Sequence, residues 1–489
     1  MENRKKWYRK KRTIAFIIVF LVISSVTLYH RQKPLPAGMS YASPLYEIQE
    51  DDLQFLYDLT YERDGKEVYD QSIFNEVNRT IAEAEEFLIL DFFLFNDYSN
   101  GDRDYPSISG DLRHAIEKQM KKHPSLNVIF ISDEINSSYN SHQAGHLAAL
   151  EERGAEIIYT DLSELRDPNH LYSAIWRTGF SWLGEKGNGW LPNPFGSTAP
   201  NITLRSYLTL LNVKANHRKV VITEDAGLIL SANPHDASGF HSNVGYKVTG
   251  PILNDMIASE KAIAAFSGGD LQRFPETDLS FSSTNGKRQK EETARIRYVT
   301  EQKVSDLALQ ELDNAGKDAV IWLGMFYLAD RDIIHALHGA AARGADIRLV
   351  LDPNQNAFGQ QKIGLPNLPV AAELQTAGYE NISIRWYDTN KEQYHAKMLY
   401  IEDGKERFVI GGSSNFTSRN LDNYNAEADI AVYGMDSFQF FKDVEGYFDR
   451  IWNNTDGTYT VEYGTYQDKL TPVKYIFYLL QKVTQFTTY

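Results

Sequence analysis

One order of segments occurs twice in this chain, and that repetition limits the folds open to it more than any single residue does. The first copy opens with "IFNEVNRTIAEAEE" and "FLILDFFLF"; the second opens with "VSDLALQELDNAGKD" and "AVIWLGMFYLAD". Apolar residues three and four apart mark a helix, and an unbroken apolar run suits a buried parallel strand. The echo continues. "DLRHAIEKQMKKHPSLNVIFISDEIN" returns as "DIIHALHGAAARGADIRLVLDPNQN", and "SNVGYKVTGPI" as "YNAEADIAVYGMDSF". Helix alternating with strand in both copies is the pattern of an α/β protein.

The repeat sets the expected domain boundaries. The halves fall at about 72–275 and 300–455, joined by a polar linker at 276–299 and followed by an apolar tail at 456–489. Asp97 aligns with Asp330 at an offset of 233, but His217 aligns with His395 at 178. The difference, 55 residues, is an insertion in the first half at about 162–213. It is rich in aromatics: Tyr172, Trp176, Phe180, Trp182, Trp190 and Phe195. Such residues suit either a lid over the lobe interface or the headgroup layer of a bilayer.

The N-terminus has its own character. Residues 1–12 carry seven Lys and Arg, and Thr13 to Tyr29 carries no charge. The length is at the short end for a transmembrane helix, and the positive-inside bias sets the N-terminus in the cytoplasm and the lobes outside. Residues 30–71 are then a juxtamembrane segment. A cleaved signal peptide is the alternative. A net charge of -15 argues against non-specific nucleic-acid binding, so no nucleic-acid partner is expected. With no Cys, thiolate chemistry is excluded.

Each half holds a His-x-Lys at the start of a β-type run: His217 with Lys219, and His395 with Lys397. On a strand, residues two apart face the same way. Each pair therefore sets an imidazole beside an ammonium, and a following turn and strand return small polar residues: Ser231 and Asn233, then Ser413 and Asn415. Two such pairs brought together suit a phosphodiester. The ammoniums neutralise non-bridging oxygens, one imidazole attacks phosphorus, and the other protonates the leaving alcohol. The chemistry calls for no metal and no cofactor.

These paired segments resemble the His-x-Lys-x4-Asp motifs of the phospholipase D superfamily, each followed by Gly-Ser-x-Asn, over about 72–455. Bacterial cardiolipin synthases are the most similar members. The resemblance implies two pseudo-symmetric αβαβα-type lobes with the active site at their interface, here preceded by one transmembrane helix. It implies a phosphohistidine intermediate, with His217 as nucleophile, His395 as general acid, and Lys219 and Lys397 binding phosphate. Asn233, Ser413 and Asn415 match the supporting, substrate-binding polar shell. Two features depart from the family pattern. The motif Asp is replaced by Glu224 and Glu402, with Asp225 and Asp403 one place later. The carboxylate that orients each His ring is Glu427 for His395, whereas the first-half counterpart is Gly245, with Asp236 as a substitute from the loop. The expected function is a membrane-anchored phosphodiesterase or phosphatidyltransferase acting on phospholipid. A nuclease, or a non-catalytic lipid-binding protein with a decayed first site, is the alternative.

Overall fold

The computed structural model describes residues 2–182, 188–276, 293–357, 360–466 and 472–484. Most of the expected linker, 277–292, lies outside them. Strand β1 (Tyr46–Ile48) is followed by β2 (Leu53–Arg63), β3 (Lys66–Asp70), β4 (Phe87–Phe92), β5 (Asn127–Ser132) and β6 (Glu156–Tyr159). Then come β7 (Lys219–Thr223), β8 (Gly227–Leu230), β9 (Asn243–Val248), β10 (Ala294–Thr300), β11 (Val320–Met325) and β12 (Asp346–Leu351). A two-residue pair, β13 (Asn356–Ala357) and β14 (Gln360–Gln361), precedes β15 (Ile382–Tyr387), β16 (Lys397–Asp403), β17 (Glu406–Gly412), β18 (Ala428–Met435) and β19 (Thr460–Glu462).

These strands build two mixed sheets with matching order: β3-β2-β9-β8-β7-β4-β5-β6 and β1-β10-β18-β17-β16-β11-β12-β15-β19. In each, three strands run parallel (β4, β5, β6 and β11, β12, β15) and the His-x-Lys strand lies antiparallel beside the first of them. The repeat is thus an α/β fold made twice. Its boundaries differ from the sequence reading. β2 and β3 precede residue 72 yet belong to the first sheet, β1 belongs to the second, and β19 in the tail closes the second sheet's edge. The segment after the N-terminal helix is therefore structural fabric of both lobes. Its ladder partners lie far along the chain, which periodicity alone cannot reveal.

Side-chain alternation divides the cores. Val220, Ile222, Met398 and Tyr400 point into one cluster shared between the two sheets. Val221 joins the cluster under the first lobe's helices, and Leu399 and Ile401 the one under the second lobe's. The layers are helix, sheet, sheet, helix, and the shared core fixes one sheet against the other.

Candidate active site

His217 and His395 stand two residues before the first residue of β7 and of β16, where each strand emerges toward the opposite lobe. Two short cross-lobe bridges hold them there. The His217 N–H donates to the Ala426 carbonyl at 2.8 Å, and Ala426 N–H to Ala215 at 3.1 Å. In the mirror position the His395 N–H donates to the Ser242 carbonyl at 2.7 Å, and Ser242 N–H to Gln393 at 2.9 Å. The backbone of each histidine is thus stitched to the other half of the chain.

This stitching corrects the expected orienting partner. Glu427, the residue directly before β18, does not serve His395; its Oε2 accepts from His217 Nδ1 at 3.0 Å, across the lobe boundary. His395 Nδ1 lies 3.1 Å from Asn243 Oδ1 of the first lobe. The partners are exchanged because the bridges at Ala426 and Ser242 deliver the residue after each bridge to the histidine opposite. Gly245 is no counterpart: a Cβ there would stand 2.7 Å from Leu230 in the outer core. Nor does Asp236 substitute, since it accepts from the Ser109 N–H at 2.9 Å and its hydroxyl at 2.8 Å, at the start of helix Ile108–Lys122.

The two orienting groups sit in equivalent frames. Ser231 Oγ donates to Asn243 Oδ1 at 3.0 Å, and Ser413 Oγ donates to Glu427 Oε2. Asn243 Nδ2 donates to the His241 carbonyl at 3.1 Å, which fixes its oxygen toward His395. His395 Nδ1 therefore carries the hydrogen, and Nε2 faces the opening with its lone pair or a second proton. Glu427 also accepts from Asn420 Nδ2 and, at 3.4 Å, from Asn425 Nδ2.

An aromatic plate that the sequence reading missed backs each His-Lys pair. Phe93 lies 5.1 Å from the His217 ring and 5.3 Å from the Lys219 Nζ; Phe326 lies 4.9 Å from His395 and 5.2 Å from Lys397. His and Lys do share one face, as strand geometry requires. The signal was available, because Phe93 and Phe326 differ by the same 233 that relates Asp97 to Asp330. Each Lys folds back on its own motif: Lys397 Nζ donates to the His395 carbonyl at 2.7 Å, and Lys219 Nζ to that of His217.

Buried carboxylates support the pairs from below. Asp133 Oδ2 accepts from Asn216 N–H and Asp352 Oδ2 from Tyr394 N–H, both at 2.7 Å, one residue before each histidine. Between His217 and Lys219, the Arg218 guanidinium is fully buried. It meets Glu260 Oε1 at 3.2 Å and Glu301 Oε1 at 2.8 Å. Glu301 also accepts from Glu427 N–H at 3.1 Å and Ser40 N–H at 2.6 Å. One ion cluster thereby joins the N-terminal segment, both lobes and the orienting carboxylate.

Burial dominates the electrostatics. It lowers His217 to about 4, against the pull of Glu427, and Lys219 to about 7, against Glu427 and Asp91. His395 falls further because Lys397 and His241 add to its burial and no carboxylate opposes them among its main influences. Lys397 is also lowered, by burial and by Lys219. Burial alone would raise Glu427, but His217, Lys219 and the Ser413 hydrogen bond hold it below its usual value. Each imidazole binds its proton more weakly folded than unfolded. Acidification from the ordinary 6.5 toward about 4 therefore erodes the stability His217 contributes. A bound anion would oppose the effect of burial and favour the ammonium form of both lysines.

The remaining expected residues divide. Ser413 holds Glu427 in place, and Asn233 Oδ1 accepts the Leu94 N–H at 3.3 Å, so both shape the site through neighbouring groups. Asn415 is buried, and its Oδ1 meets no hydrogen-bond donor among the described residues. Glu224 and Asp403, not the same motif position, take up the structural carboxylate role. Glu224 accepts from Glu85 and Glu86 N–H before β4, and Asp403 from Gly316 N–H before β11. Glu402 instead accepts from Trp322 Nε1 at 3.3 Å. In the insertion, Trp176 is core at 8% exposure, while Trp182 and Trp190 are exposed at 72% and 67%.

Residues 308–452 match the family model described as "Cardiolipin synthase, PLD-like domain". Among solved structures, the chain is similar to phosphatidylserine synthase of Haemophilus influenzae Rd KW20: TM-score 0.56, 11% identity, 91% of this chain and 96% of that one. It is also similar to Nuc, a phospholipase D family member of Salmonella typhimurium, over 34% of this chain and 97% of that one, at 20% identity and TM-score 0.25. At this identity the first likeness is one of fold, and the second is too low to argue from. Comparison with curated protein sequences gave no match.

Proposed function

We propose that this chain, whose residues 308–452 match the cardiolipin synthase PLD-like domain model, is a membrane-anchored enzyme that cleaves or transfers phospholipid phosphodiesters through a phosphohistidine. The observation that carries the reading is the pair of His-Lys groups, each backed by Phe93 or Phe326 and each His oriented by a side chain of the opposite lobe. His217 is the better nucleophile. Glu427 accepts from its Nδ1–H, which leaves the Nε2 lone pair for phosphorus. As the new P–N bond forms, the P–O bond to the leaving alcohol breaks, and His395 Nε2 gives that oxygen its proton. Water or a lipid hydroxyl then surrenders a proton to His395, attacks phosphorus and releases His217. Lys219 and Lys397 neutralise the charge on the non-bridging oxygens throughout.

The lipid assignment rests on the description matched by the second lobe and on the N-terminal helix. Within its Lys5–Gln32 stretch an 18-residue window has a mean hydropathy of 2.1 with none of it buried, and the helix is long enough to cross a bilayer. The expected topology places the lobes outside the cytoplasm. The test uses full-length protein with ³²P-phosphatidylglycerol, quenched early in turnover. Acid-labile label should appear on wild type, form only slowly on His395→Ala, which lacks the acid for the leaving alcohol, and be absent from His217→Ala. Products should resolve as phosphatidic acid or cardiolipin. Label retained on His217→Ala, or no turnover of any phospholipid, overturns the reading.

The neutral partner of His395 has a measurable consequence. An acid must be protonated to act, and Asn243 stabilises the imidazolium less than a carboxylate would. Asn243→Asp should raise the His395 pKa, and the alkaline limb of the pH–rate profile should move up by about 1–2 units. A limb that stays in place would show that His395 is not the group titrating there.

A further inference from the structure

Helix Pro472–Thr484 is the wrong way out for a helix lying on a protein in water. Tyr478 is buried at 5%, and among the described side chains of the helix Lys474 and Gln481, four before it and three after it, are half-buried on the same side. The outward side carries Tyr475, Ile476, Phe477 and Leu479, exposed at 47%, 56%, 52% and 40%. An amphipathic helix on a soluble lobe shows the opposite arrangement.

Its position is as informative as its pattern. The Tyr478 hydroxyl bonds to Arg331, which also pairs with Glu373 at 2.5 Å. The neighbours of Arg331, Asp330 and Asp332, act on Asp422. Asp422 in turn feels Arg31, whose guanidinium bonds to Tyr424. Arg31 is the penultimate residue of helix Glu2–Gln32. The Asp330 N–H donates to the Phe416 carbonyl at 2.9 Å, six residues before Asp422, so the end of the N-terminal helix and the C-terminal helix meet the same region of the second lobe. That region includes the 422–427 loop that supplies Glu427. On the other side of the same end, helix His170–Gly179 of the insertion runs along the N-terminal helix and exposes Leu171 at 64%.

We infer that Pro472–Thr484 is an interfacial helix, its outward face in the headgroup layer of the bilayer that the N-terminal helix enters. The inference rests on the anchoring proposed above. Its occupant is the lipid surface, because the Tyr478–Arg331 and Arg31–Tyr424 hydrogen bonds seat this helix and the end of the N-terminal helix on neighbouring parts of the second lobe, with the apolar side facing out. The consequence is that the active-site mouth is held against the membrane at two points, one at each end of the chain.

The absence of Cys from the chain makes the test direct. Full-length Ile476→Cys and Phe477→Cys are labelled with bimane in phosphatidylglycerol-containing nanodiscs holding one chain each. Asp225→Cys is the control, exposed in the β7–β8 turn at the end of the strand remote from His217. Lipids carrying a nitroxide near the headgroup should quench the labels at 476 and 477 at least about twofold more than the label at 225, with iodide access reduced. Equal response at all three positions overturns the inference. So does shielding that appears only when two chains share a disc, which would mean self-association. Turnover of labelled phosphatidylglycerol is read on the same samples. Turnover without quenching sinks the interfacial helix alone, and quenching without turnover sinks only the catalytic reading.

Discussion

Glu427→Gln is expected to lower turnover by roughly 10²–10⁴-fold while the protein stays folded. The carboxylate accepts the Nδ1–H of His217, and in doing so holds the ring in the tautomer that presents Nε2 to phosphorus. It also stabilises the positive charge that the ring acquires on phosphorylation. Gln keeps the shape: with its oxygen toward Asn420, its NH2 meets the Ser413 hydroxyl, which can accept, and faces His217 Nδ1, so the frame survives while the ring loses its acceptor. The measurement is single-turnover cleavage of a short-chain soluble phosphodiester, which removes membrane access from the comparison, alongside the thermal midpoint. A rate within about threefold of wild type would show that Glu427 is a structural acid and that His217 is oriented otherwise.

Arg218→Met should be the most destabilising single change near the site, by about 3–5 kcal/mol. Arg218, Glu260 and Glu301 are all fully buried, and removing the guanidinium strands two carboxylates out of water. Met matches much of the volume, so the loss is of charge rather than packing. The expected result is a large drop in the thermal midpoint, followed by intrinsic Trp fluorescence in detergent. Arg218→Lys should recover part of it, since one ammonium can reach one carboxylate but not bridge both. A midpoint unchanged in Arg218→Met would mean that the carboxylates take up protons without penalty.

What the sequence reveals and what it hides follow from one distinction. Features that recur at a fixed spacing along the chain are legible: the doubled helix-strand order, the His-x-Lys pairs, and Phe93 with Phe326 once the offset is applied. Features that depend on which strand ends meet across space are not. Glu427 lies 32 residues after His395 and 210 after His217, and linear proximity favours the wrong partner. Asn243 was overlooked for Gly245 because a register read from an echo is uncertain by a residue or two, enough to choose the wrong side chain. Arg218 is the unspecified middle of a short motif, and nothing local says that it anchors a buried ion cluster. Trp176 and Trp182 look alike in the sequence; only packing separates the core residue from the exposed one.

The exchange of orienting groups across the lobes also bears on how such a chain can change. After a duplication, one copy is ordinarily free to drift while its twin preserves the activity. Here that freedom is absent, because each copy owns the histidine that the other copy tunes. The Asn at position 243 stands in the first copy, and its chemical effect is felt by the second copy's histidine. The two halves have therefore specialised as a pair: one imidazole with a charged support, the other with a neutral one. Neither half, expressed alone, would inherit a complete version of either.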